Sequence, residues 1–282
     1  MNIAIIGLGI IGGSIAKAIK LNTDHTVFAL NRTTTVVKDA INLEAVDFVL
    51  KDFSKIDITF VCLYPQMSVD FIKNSAASFK KGSIVVDVGG VKTAICTELN
   101  ELASKHGFTF IGGHPMAGSE KVGFENSSAE IIENASFILT PFDKSAPEVE
   151  LLANFLGDIG FGKVIITTPE NHDRMVAFTS QLPHVIATTY VQDYDYEKHN
   201  GFSAGSLRDV SRVADINEDL WAELFLANSD YLATKIEEFV KNLEKIKRMV
   251  QENDETALKS YLKSSREIKS KDKCEENCNE ND

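Results

Sequence analysis

The sequence predicts an α/β protein in which an N-terminal doubly wound parallel sheet precedes a C-terminal all-helical domain. Short apolar runs alternate with amphipathic helical segments up to about residue 167, which is typical of βαβ units. Beyond that point, long segments of helical periodicity replace the glycine-punctuated runs. The predicted domains are therefore residues 1–167, with a Rossmann-type sheet, and residues 168–263. The polar segment 264–282 is predicted to be a disordered tail.

The first strand is a continuous apolar run, Ile3 to Ile6, as expected where both faces of a parallel sheet are covered. A G-x-G-x-x-G motif follows at once and leads into an amphipathic helix. Ordinary turns also contain glycines, but a strand before the motif and a helix after it favour a dinucleotide-binding turn. The amides at the helix N-terminus would bind the phosphates. The predicted cofactor-binding residues in this turn are Gly7, Leu8, Gly9, Ile10, Ile11 and Gly12.

The second strand, Thr26 to Leu30, ends at Asn31, Arg32 and Thr33. An NAD enzyme usually has a carboxylate here to hold the ribose hydroxyls, and a carboxylate would repel a 2′-phosphate. A guanidinium with neutral neighbours attracts one instead. The sequence therefore favours NADP, with NAD as the alternative, and counts these three residues as cofactor-binding. The competing interpretation of Arg32 is an arginine that only faces solvent.

Further apolar runs predict strands over residues 58–63, 84–88, 108–111, 135–139 and 163–167. The first of these ends at Leu63, Tyr64 and Pro65, which are predicted to border the cofactor. Lys92 lies beyond the carboxyl end of the next strand and is predicted to reach the same crevice. A lysine that is merely solvated at the start of a helix fits the sequence as well.

His114 follows the run Phe108 to Ile111, so we expect it in a loop at the carboxyl end of a strand. Ligands of open parallel sheets bind at this end. Two glycines precede the histidine, and Pro115 restricts it to an extended conformation. These features predict a candidate site histidine. The alternative is a structural loop in which the ring is simply held by a hydrogen bond.

Thr168 and Pro169 predict a helix start, with a threonine cap and a proline in the first turn. The helix is predicted to run towards Tyr190 and to kink just before His184, because Pro183 removes a backbone hydrogen bond. His172 lies twelve residues before His184, too far along one helix to share a metal ion. For His184 a packing role and a site role both remain open, and no metal is predicted.

Arg208 and Arg212 are four residues apart and are predicted to share a helix face. Their guanidinium groups suit carboxylate ligands, although pairing with Asp209 or Asp215 is the simpler alternative. A heptad-like seam follows in the last long helix and predicts packing within the domain or a homodimer. The seam consists of Leu232, Ile236, Phe239, Leu243, Ile246 and Val250.

The composition is that of a globular protein of 282 residues, 44% hydrophobic and 25% charged. The net charge of −12 argues against binding to nucleic acid or to an anionic membrane surface, so the expected partner is a small molecule. No basic segment precedes the first strand, and no apolar run has transmembrane length, so we expect neither a leader nor a membrane span. Four scattered cysteines fit a reducing cytoplasm: Cys62, Cys96, Cys274 and Cys278.

These motifs together resemble the prephenate/arogenate dehydrogenase family of tyrosine biosynthesis over roughly residues 1–265. The resemblance rests on the glycine motif, on residues 113–120 (GHPMAGSE), on residues 182–184 (LPH), and on residues 208–212 (RDVSR) followed by residues 219–221 (DLW). It implies an oxidative decarboxylation in which hydride leaves C4 of a cyclohexadienol for the nicotinamide, carbon dioxide departs, and the ring becomes aromatic.

The resemblance implies that His114 is the catalytic histidine, accepting the proton of the C4 hydroxyl, for which a neutral imidazole is a suitable base. Arg212 would hold a substrate carboxylate and His184 would line the same pocket. Lys92 and Arg208 are the further candidates for substrate binding.

The chain departs from the family pattern at two positions. Gly90 stands where members often have a serine that orients the catalytic histidine, so we expect that Ser119 or water does so here, or that the substrate lies differently. Gln181 stands where some members have another histidine. Whether the substrate is prephenate or arogenate is left open by the sequence. Two other classes remain: a hydroxyacid or imine dehydrogenase with the same two domains, and a non-catalytic dinucleotide sensor.

Overall fold

The structure is a computed structural model that describes residues 1–118 and 121–279, with side chains as far as residue 271. It contains one eight-stranded sheet, and the sequence predicts seven of its strands. The strands are β1 (Asn2–Ile6), β2 (Thr26–Leu30), β3 (Phe48–Val49), β4 (Ile58–Val61), β5 (Ile84–Asp87), β6 (Thr109–Pro115), β7 (Ser136–Pro141) and β8 (Lys163–Ile166).

The helices within the sheet region connect successive strands. They are α1 (Ile10–Asn22), α2 (Thr34–Asn42), α3 (Pro65–Ser75), α4 (Thr93–His106) and α5 (Pro147–Asp158). The later part of the chain adds α6 (Pro169–Val176), α7 (Leu182–Tyr190), α8 (Gly205–Ser211), α9 (Glu218–Ala227), α10 (Ser229–Gln251) and α11 (Glu255–Asn279). No helix of the described residues is long and apolar enough to cross a membrane.

The strand order is β3-β2-β1-β4-β5-β6-β7-β8, so the order reverses between β1 and β4. In a doubly wound sheet this reversal opens a crevice at the carboxyl ends of the two central strands. The glycine motif follows β1 and the segment from Leu63 to Pro65 follows β4, so both lie at this crevice. All strand pairs are parallel except β6 with β7.

Helices cover both faces of the sheet. Successive side chains of a strand point to opposite faces, and in β1 both sets are apolar. Ile3 and Ile5 point into a core shared with α1 and α5, whereas Ala4 and Ile6 point into a core shared with α3 and α4. Burial on both faces explains why the first strand is apolar at every position rather than at every second one.

Strand β6 is longer than the sequence predicts, so the predicted loop environment of His114 is wrong. The histidine lies inside the strand, opposite Ile138 of β7, and not in a loop after it. The antiparallel return of β7 provides this extra pairing. Residue 113 must be glycine for this pairing, because a Cβ atom there would lie only 2.6 Å from the carbonyl oxygen of Asp87 on β5.

The helical region begins as the sequence predicts. The side chain of Thr168 accepts a hydrogen bond from the amide of Asn171 and so caps α6. The sequence predicts a single kinked helix here. The structure has two helices, α6 and α7, joined by one turn of π-helix, Ala177–Gln181. The π-helical turn comes directly before α7, which has Pro183 in its first turn, so the irregularity falls just ahead of His184 as expected.

By contacts the chain forms two compact units, Met1–Leu232 and the residues from Ala233 onward. The first unit includes α6, which is bonded to the sheet region: Asp173 accepts hydrogen bonds from the amides of Lys92 and Thr93 at the start of α4.

The segment predicted to be a disordered tail is part of helix α11 as far as residue 279. Lysine and glutamate favour helix even without a buried face, and they also pair four residues apart here, as in Lys263 with Glu267. The side chains of Cys274 and Cys278 lie outside the described residues.

Candidate active site

The glycine turn after β1 has the geometry of a phosphate-binding loop. Gly7 has a φ of +92°, and a Cβ atom there would lie 2.5 Å from the carbonyl oxygen of Cys62. A Cβ atom on Gly12 would lie 2.0 Å from the carbonyl oxygen of Gly7, so the start of α1 packs directly on the turn. At Gly9, by contrast, a Cβ atom would meet nothing within 4 Å. The backbone is therefore open to a ligand at that residue, which fits an approaching pyrophosphate.

The end of β2 is held to this turn by Asn31. Its side-chain oxygen accepts a hydrogen bond of 3.0 Å from the amide of Leu8, and its side-chain nitrogen donates to the carbonyl oxygen of Thr33. Arg32 is exposed, and residues 31–35 contain no carboxylate. Asn31 and Leu8 therefore shape the turn, whereas Arg32 is the charged group available at the strand end.

A cleft of about 740 Å³ opens at the carboxyl ends of β1 and β4. Four of the predicted groups line it: the glycine turn from Gly9 to Gly12, the segment from Leu63 to Pro65, His114, and the pair His184 and Arg212. Lys92 and Arg208 do not line it. The cleft thus brings together residues that are up to two hundred positions apart in the sequence.

His114 is held by a second histidine. Its Nδ1 atom lies 2.8 Å from Nε2 of His172, and the two rings are tilted by 59°. Burial, followed by the proximity of His172 and Lys92, holds the pKa of His114 well below its usual 6.5. The ring is therefore neutral at neutral pH, as a base must be before it accepts a proton.

Behind His172 lies Asp173. The two side chains are 1% and 2% exposed, and Nδ1 of His172 lies 2.7 Å from Oδ1 of the carboxylate. Burial lowers the pKa of His172. Burial alone would raise the pKa of Asp173, but hydrogen bonds from His172 and from Thr93 outweigh that effect and lower it. The N-terminus of α4 adds a favourable dipole.

Lys92 is not a substrate-binding residue in this structure, contrary to the expectation. Its side chain is 0% exposed, and its ammonium group is paired with the buried carboxylate of Asp87. Asp87 also accepts hydrogen bonds from the amides of Gly89 and Gly113. An ammonium group that is fully buried needs such a partner, since an unpaired buried charge is strongly destabilising.

His184 lies on α7 with its ring 3.7 Å from that of Trp221, centroid to centroid. Its Nδ1 donates a hydrogen bond of 2.7 Å to the carbonyl oxygen of Val213. Burial lowers the pKa of this histidine, an effect to which the positive charge of Arg212 also contributes. The imidazole is therefore neutral, and its Nε2 atom is free of the proton that Nδ1 donates.

Arg208 and Arg212 share a helix face, as their spacing predicts, because Arg212 has helical backbone angles and its amide donates to the carbonyl oxygen of Arg208. Arg212 lines the cleft, whereas Arg208, one helical turn earlier, is exposed outside it. The backbone leaves helical geometry at Val213, directly after Arg212.

The two departures from the family pattern have structural consequences. A Cβ atom on Gly90 would lie 3.1 Å from Leu224 and 3.9 Å from Cε1 of His114, so residue 90 faces the ring of His114. Gln181 is buried and bonded on both sides, donating to the carbonyl oxygen of Leu224 and accepting from Asn228. Ser119, predicted to orient His114, lies outside the described residues. Among those described, His172 bonds to the His114 ring instead.

Sequence reasoning assigned no role to His172 and missed Asp173. The adjacent His-Asp pair in a capped helix was a visible signal, but its partner His114 lies 58 residues away. Among the described residues no three His, Cys, Asp or Glu side chains are grouped to hold a metal ion. Burial raises the pKa of Cys96 to about 11, so this thiol is not a nucleophile at neutral pH.

Two family models match the chain in succession. The model of the nucleotide-binding domain of prephenate dehydrogenase matches residues 15–166, and that of its dimerization domain matches residues 168–264. The chain belongs to the prephenate dehydrogenase family. This confirms the resemblance seen in the sequence and favours it over the hydroxyacid or imine dehydrogenase and the non-catalytic sensor.

Individual relatives agree with the family match. A cyclohexadienyl dehydrogenase from Zymomonas mobilis is 31% identical over 282 residues, covering 95% of this chain and 94% of that protein. The crystal structure of prephenate dehydrogenase from A. aeolicus in complex with hydroxyphenyl propionate and NAD+ superposes with a TM-score of 0.85. It is 26% identical and covers 96% of this chain and 98% of its own.

Arogenate dehydrogenase from Synechocystis superposes with a TM-score of 0.83, is 26% identical, and covers 96% of this chain and 99% of its own. The chain is therefore a dehydrogenase of this family with a domain for a nicotinamide dinucleotide. The names of its relatives divide between prephenate and arogenate, so they leave the preferred substrate open.

Proposed function

We propose that this member of the prephenate dehydrogenase family oxidises and decarboxylates prephenate or arogenate, giving 4-hydroxyphenylpyruvate or tyrosine. The observation that carries the proposal is the position of His114. Its ring lines one cleft together with the glycine turn and with Arg212. A base that shares a cleft with a cofactor site and an anion site is what an oxidation of a carboxylated alcohol requires.

A nicotinamide dinucleotide, held by the glycine turn from Gly9 to Gly12, would supply the acceptor for the hydride that leaves C4 of the substrate. His114 takes the proton of the C4 hydroxyl as the carbonyl develops, and its low pKa supports this role because the ring is unprotonated beforehand. The electron pair of the breaking bond to carbon dioxide enters the ring, which becomes aromatic. The remaining task of the protein is to hold the substrate so that these bonds are aligned.

Arg212 is proposed to bind a carboxylate of the substrate, since a guanidinium group forms paired hydrogen bonds with that group. His184 presents a neutral ring beside it, packed against Trp221. We propose that His184 contacts the substrate side chain through Nε2, because Nδ1 is already engaged with the carbonyl oxygen of Val213. Ser119 remains a proposed contributor from the sequence alone.

We further propose that NADP is preferred over NAD. Support comes from the exposed Arg32 at the end of β2 and from the absence of a carboxylate in residues 31–35. Asn31, which stands where NAD enzymes usually have an acid, is occupied with the amide of Leu8. Exchange of Arg32 for Ser is expected to raise KM for NADP+ by about 10-fold or more, the loss of one charge-assisted hydrogen bond, with little effect on KM for NAD+.

A homodimer in the cytoplasm is the proposed assembly and location. The second family model is that of a dimerization domain, and it includes α10. Along α10 the predicted seam leaves Leu243 and Val250 50% and 57% exposed. Apolar side chains in such a row are usually covered by a partner, and a second copy of the chain is the simplest one. The location rests on the scattered cysteines alone.

The proposed function is tested by incubating the purified protein with prephenate or arogenate and with NAD+ or NADP+, and following absorbance of the reduced nicotinamide. Turnover with at least one pair is expected. The variant His114→Asn should lose nearly all turnover while its Kd for NADP+ stays within about 2-fold. Absence of turnover with all four pairs, or full turnover in the variant, would contradict the proposal.

A further inference from the structure

We propose that Asp173 and His172 are positioning residues that fix the tautomer of His114, leaving its Nε2 unprotonated towards the cleft. The inference rests on the proposed role of His114 as the base. It goes beyond that role because it assigns a task to two buried side chains that do not line the cleft.

The direction of the hydrogen bonds starts at Asp173. Its two oxygens accept from the amides of Lys92 and Thr93, at 2.8 Å each, and these amides can only donate. A carboxylate placed at the N-terminus of α4 in this way is stabilised in its ionised form, which has no proton to offer. The 2.7 Å contact with His172 therefore has Nδ1 of the imidazole as its donor.

The same reasoning then fixes both rings. A neutral imidazole carries one ring proton, so His172, which donates from Nδ1, has an unprotonated Nε2. That atom lies 2.8 Å from Nδ1 of His114, and a contact of this length needs one hydrogen between the two nitrogens. His114 therefore donates from Nδ1. Its own Nε2 keeps the lone pair that a base needs.

Charges around the pair favour neutral rings. The ammonium group of Lys92 lies close enough to lower the pKa of both histidines, and burial lowers both further. If His172 were an imidazolium, it would donate to His114 and force the proton of His114 onto Nε2. The paired Asp87 holds the ammonium group in place. The buried lysine thereby helps to keep both rings neutral, although it does not line the cleft.

The arrangement also assists the proton transfer itself. When Nε2 of His114 accepts the hydroxyl proton, the ring becomes an imidazolium that still donates from Nδ1 to His172. The carboxylate of Asp173, which is hydrogen-bonded to that next ring, then partly offsets the new positive charge. A residue that only filled space behind His114 would provide neither the acceptor nor the negative charge.

The tautomer can be measured directly on the full-length wild-type protein. Labelling histidine with ¹⁵N and recording long-range ¹H–¹⁵N correlations distinguishes protonated from unprotonated ring nitrogens, and only six histidines contribute. The signals of His114 are those lost in His114→Asn. We expect a proton on Nδ1 and none on Nε2. A proton on Nε2 in the wild type would overturn the inference, whether or not the protein oxidises prephenate.

Variants test the two positioning residues. Asp173→Asn replaces one accepting oxygen by an amide NH2 group and removes the negative charge, so the proton of His172 is no longer held firmly on Nδ1, nor in turn is that of His114. We expect kcat to fall by about 10²- to 10⁴-fold, the range that a positioned base contributes, with Kd for NADP+ within about 2-fold. An unchanged tautomer together with kcat within about 3-fold would refute the assignment.

A matched pair at residue 172 separates positioning from packing and does not depend on the folding of Asp173→Asn. Glutamine offers an amide oxygen near the place of Nε2, whereas leucine of similar size offers no acceptor. We expect His172→Gln to keep at least about 10-fold more kcat than His172→Leu, with similar melting temperatures. Equal losses in both would show that His172 is only a packing residue. His106→Gln, in the last turn of α4 and far from the cleft lining, is the control.

Discussion

Two glycines of the same turn are predicted to respond oppositely to the same added methyl group. In Gly9→Ala the Cβ atom would enter open space within the cleft, with nothing inside 4 Å. In Gly12→Ala it would lie 2.0 Å from the carbonyl oxygen of Gly7, a backbone atom that cannot rotate away. The first variant should therefore fold and fail to bind the cofactor. The second should lose stability.

The magnitudes follow from these contacts. Gly9 is the N-cap of α1, where alanine costs about 0.5–1 kcal/mol relative to glycine, so Tm should fall by a few degrees at most. The affinity of the Gly9→Ala variant for NADP+ should fall by about 10- to 100-fold, as expected when a charge-assisted hydrogen bond to a phosphate is lost. Gly12→Ala should cost about 2 kcal/mol or more even after the better helix propensity of alanine, since overpacking costs about 1–3 kcal/mol.

The assay is thermal unfolding of each variant with and without NADP+, together with a titration of cofactor affinity. Gly157→Ala is the matched control, because that glycine lies in α5 with nothing within 4 Å of the added atom and should be neutral or slightly stabilising. An unchanged Kd in Gly9→Ala would refute the phosphate-binding role of the turn. A Gly12→Ala protein as stable as the wild type would refute the packing argument.

Three further predictions concern the substrate, the base and the assembly. Arg212→Gln should raise KM for prephenate or arogenate by about 10- to 100-fold, because one charge-assisted hydrogen bond is worth about 1.5–3 kcal/mol. The KM for NADP+ should stay unchanged. Steady-state kinetics measures both constants, and an unaltered KM for the substrate would contradict the prediction. The acidic limb of a plot of kcat/KM against pH should lie below pH 6.5, because burial lowers the pKa of His114 and the base is lost only when it is protonated; a limb at or above that pH would show an ordinary, solvated histidine. Leu243→Asp should shift the mass measured by light scattering from dimer to monomer, since it places a charge in an apolar seam, and a wild-type monomer would exclude the proposed dimer.

Local chemistry made the nucleotide-binding half predictable. A buried strand must be apolar at every position, and a turn that packs backbone on backbone admits only glycine, so both left clear patterns. The same holds for the cap at Thr168, which depends on residues three positions apart. Prediction failed where a partner came from far along the chain, as at His114, whose strand is lengthened by the antiparallel return of β7.

The sequence by itself determined the class of fold, the glycine turn, the catalytic candidate His114 and the family, because each depends on residues that are close together in the chain. The tertiary structure alone decided that Lys92 is buried against Asp87, that Arg212 but not Arg208 reaches the cleft, and that Asp173 and His172 stand behind the base. Hydrogen bonds and ion pairs act over about 3 Å in space regardless of distance along the chain. A sequence motif therefore does not reveal these contacts, which form only when folding brings the two partners together.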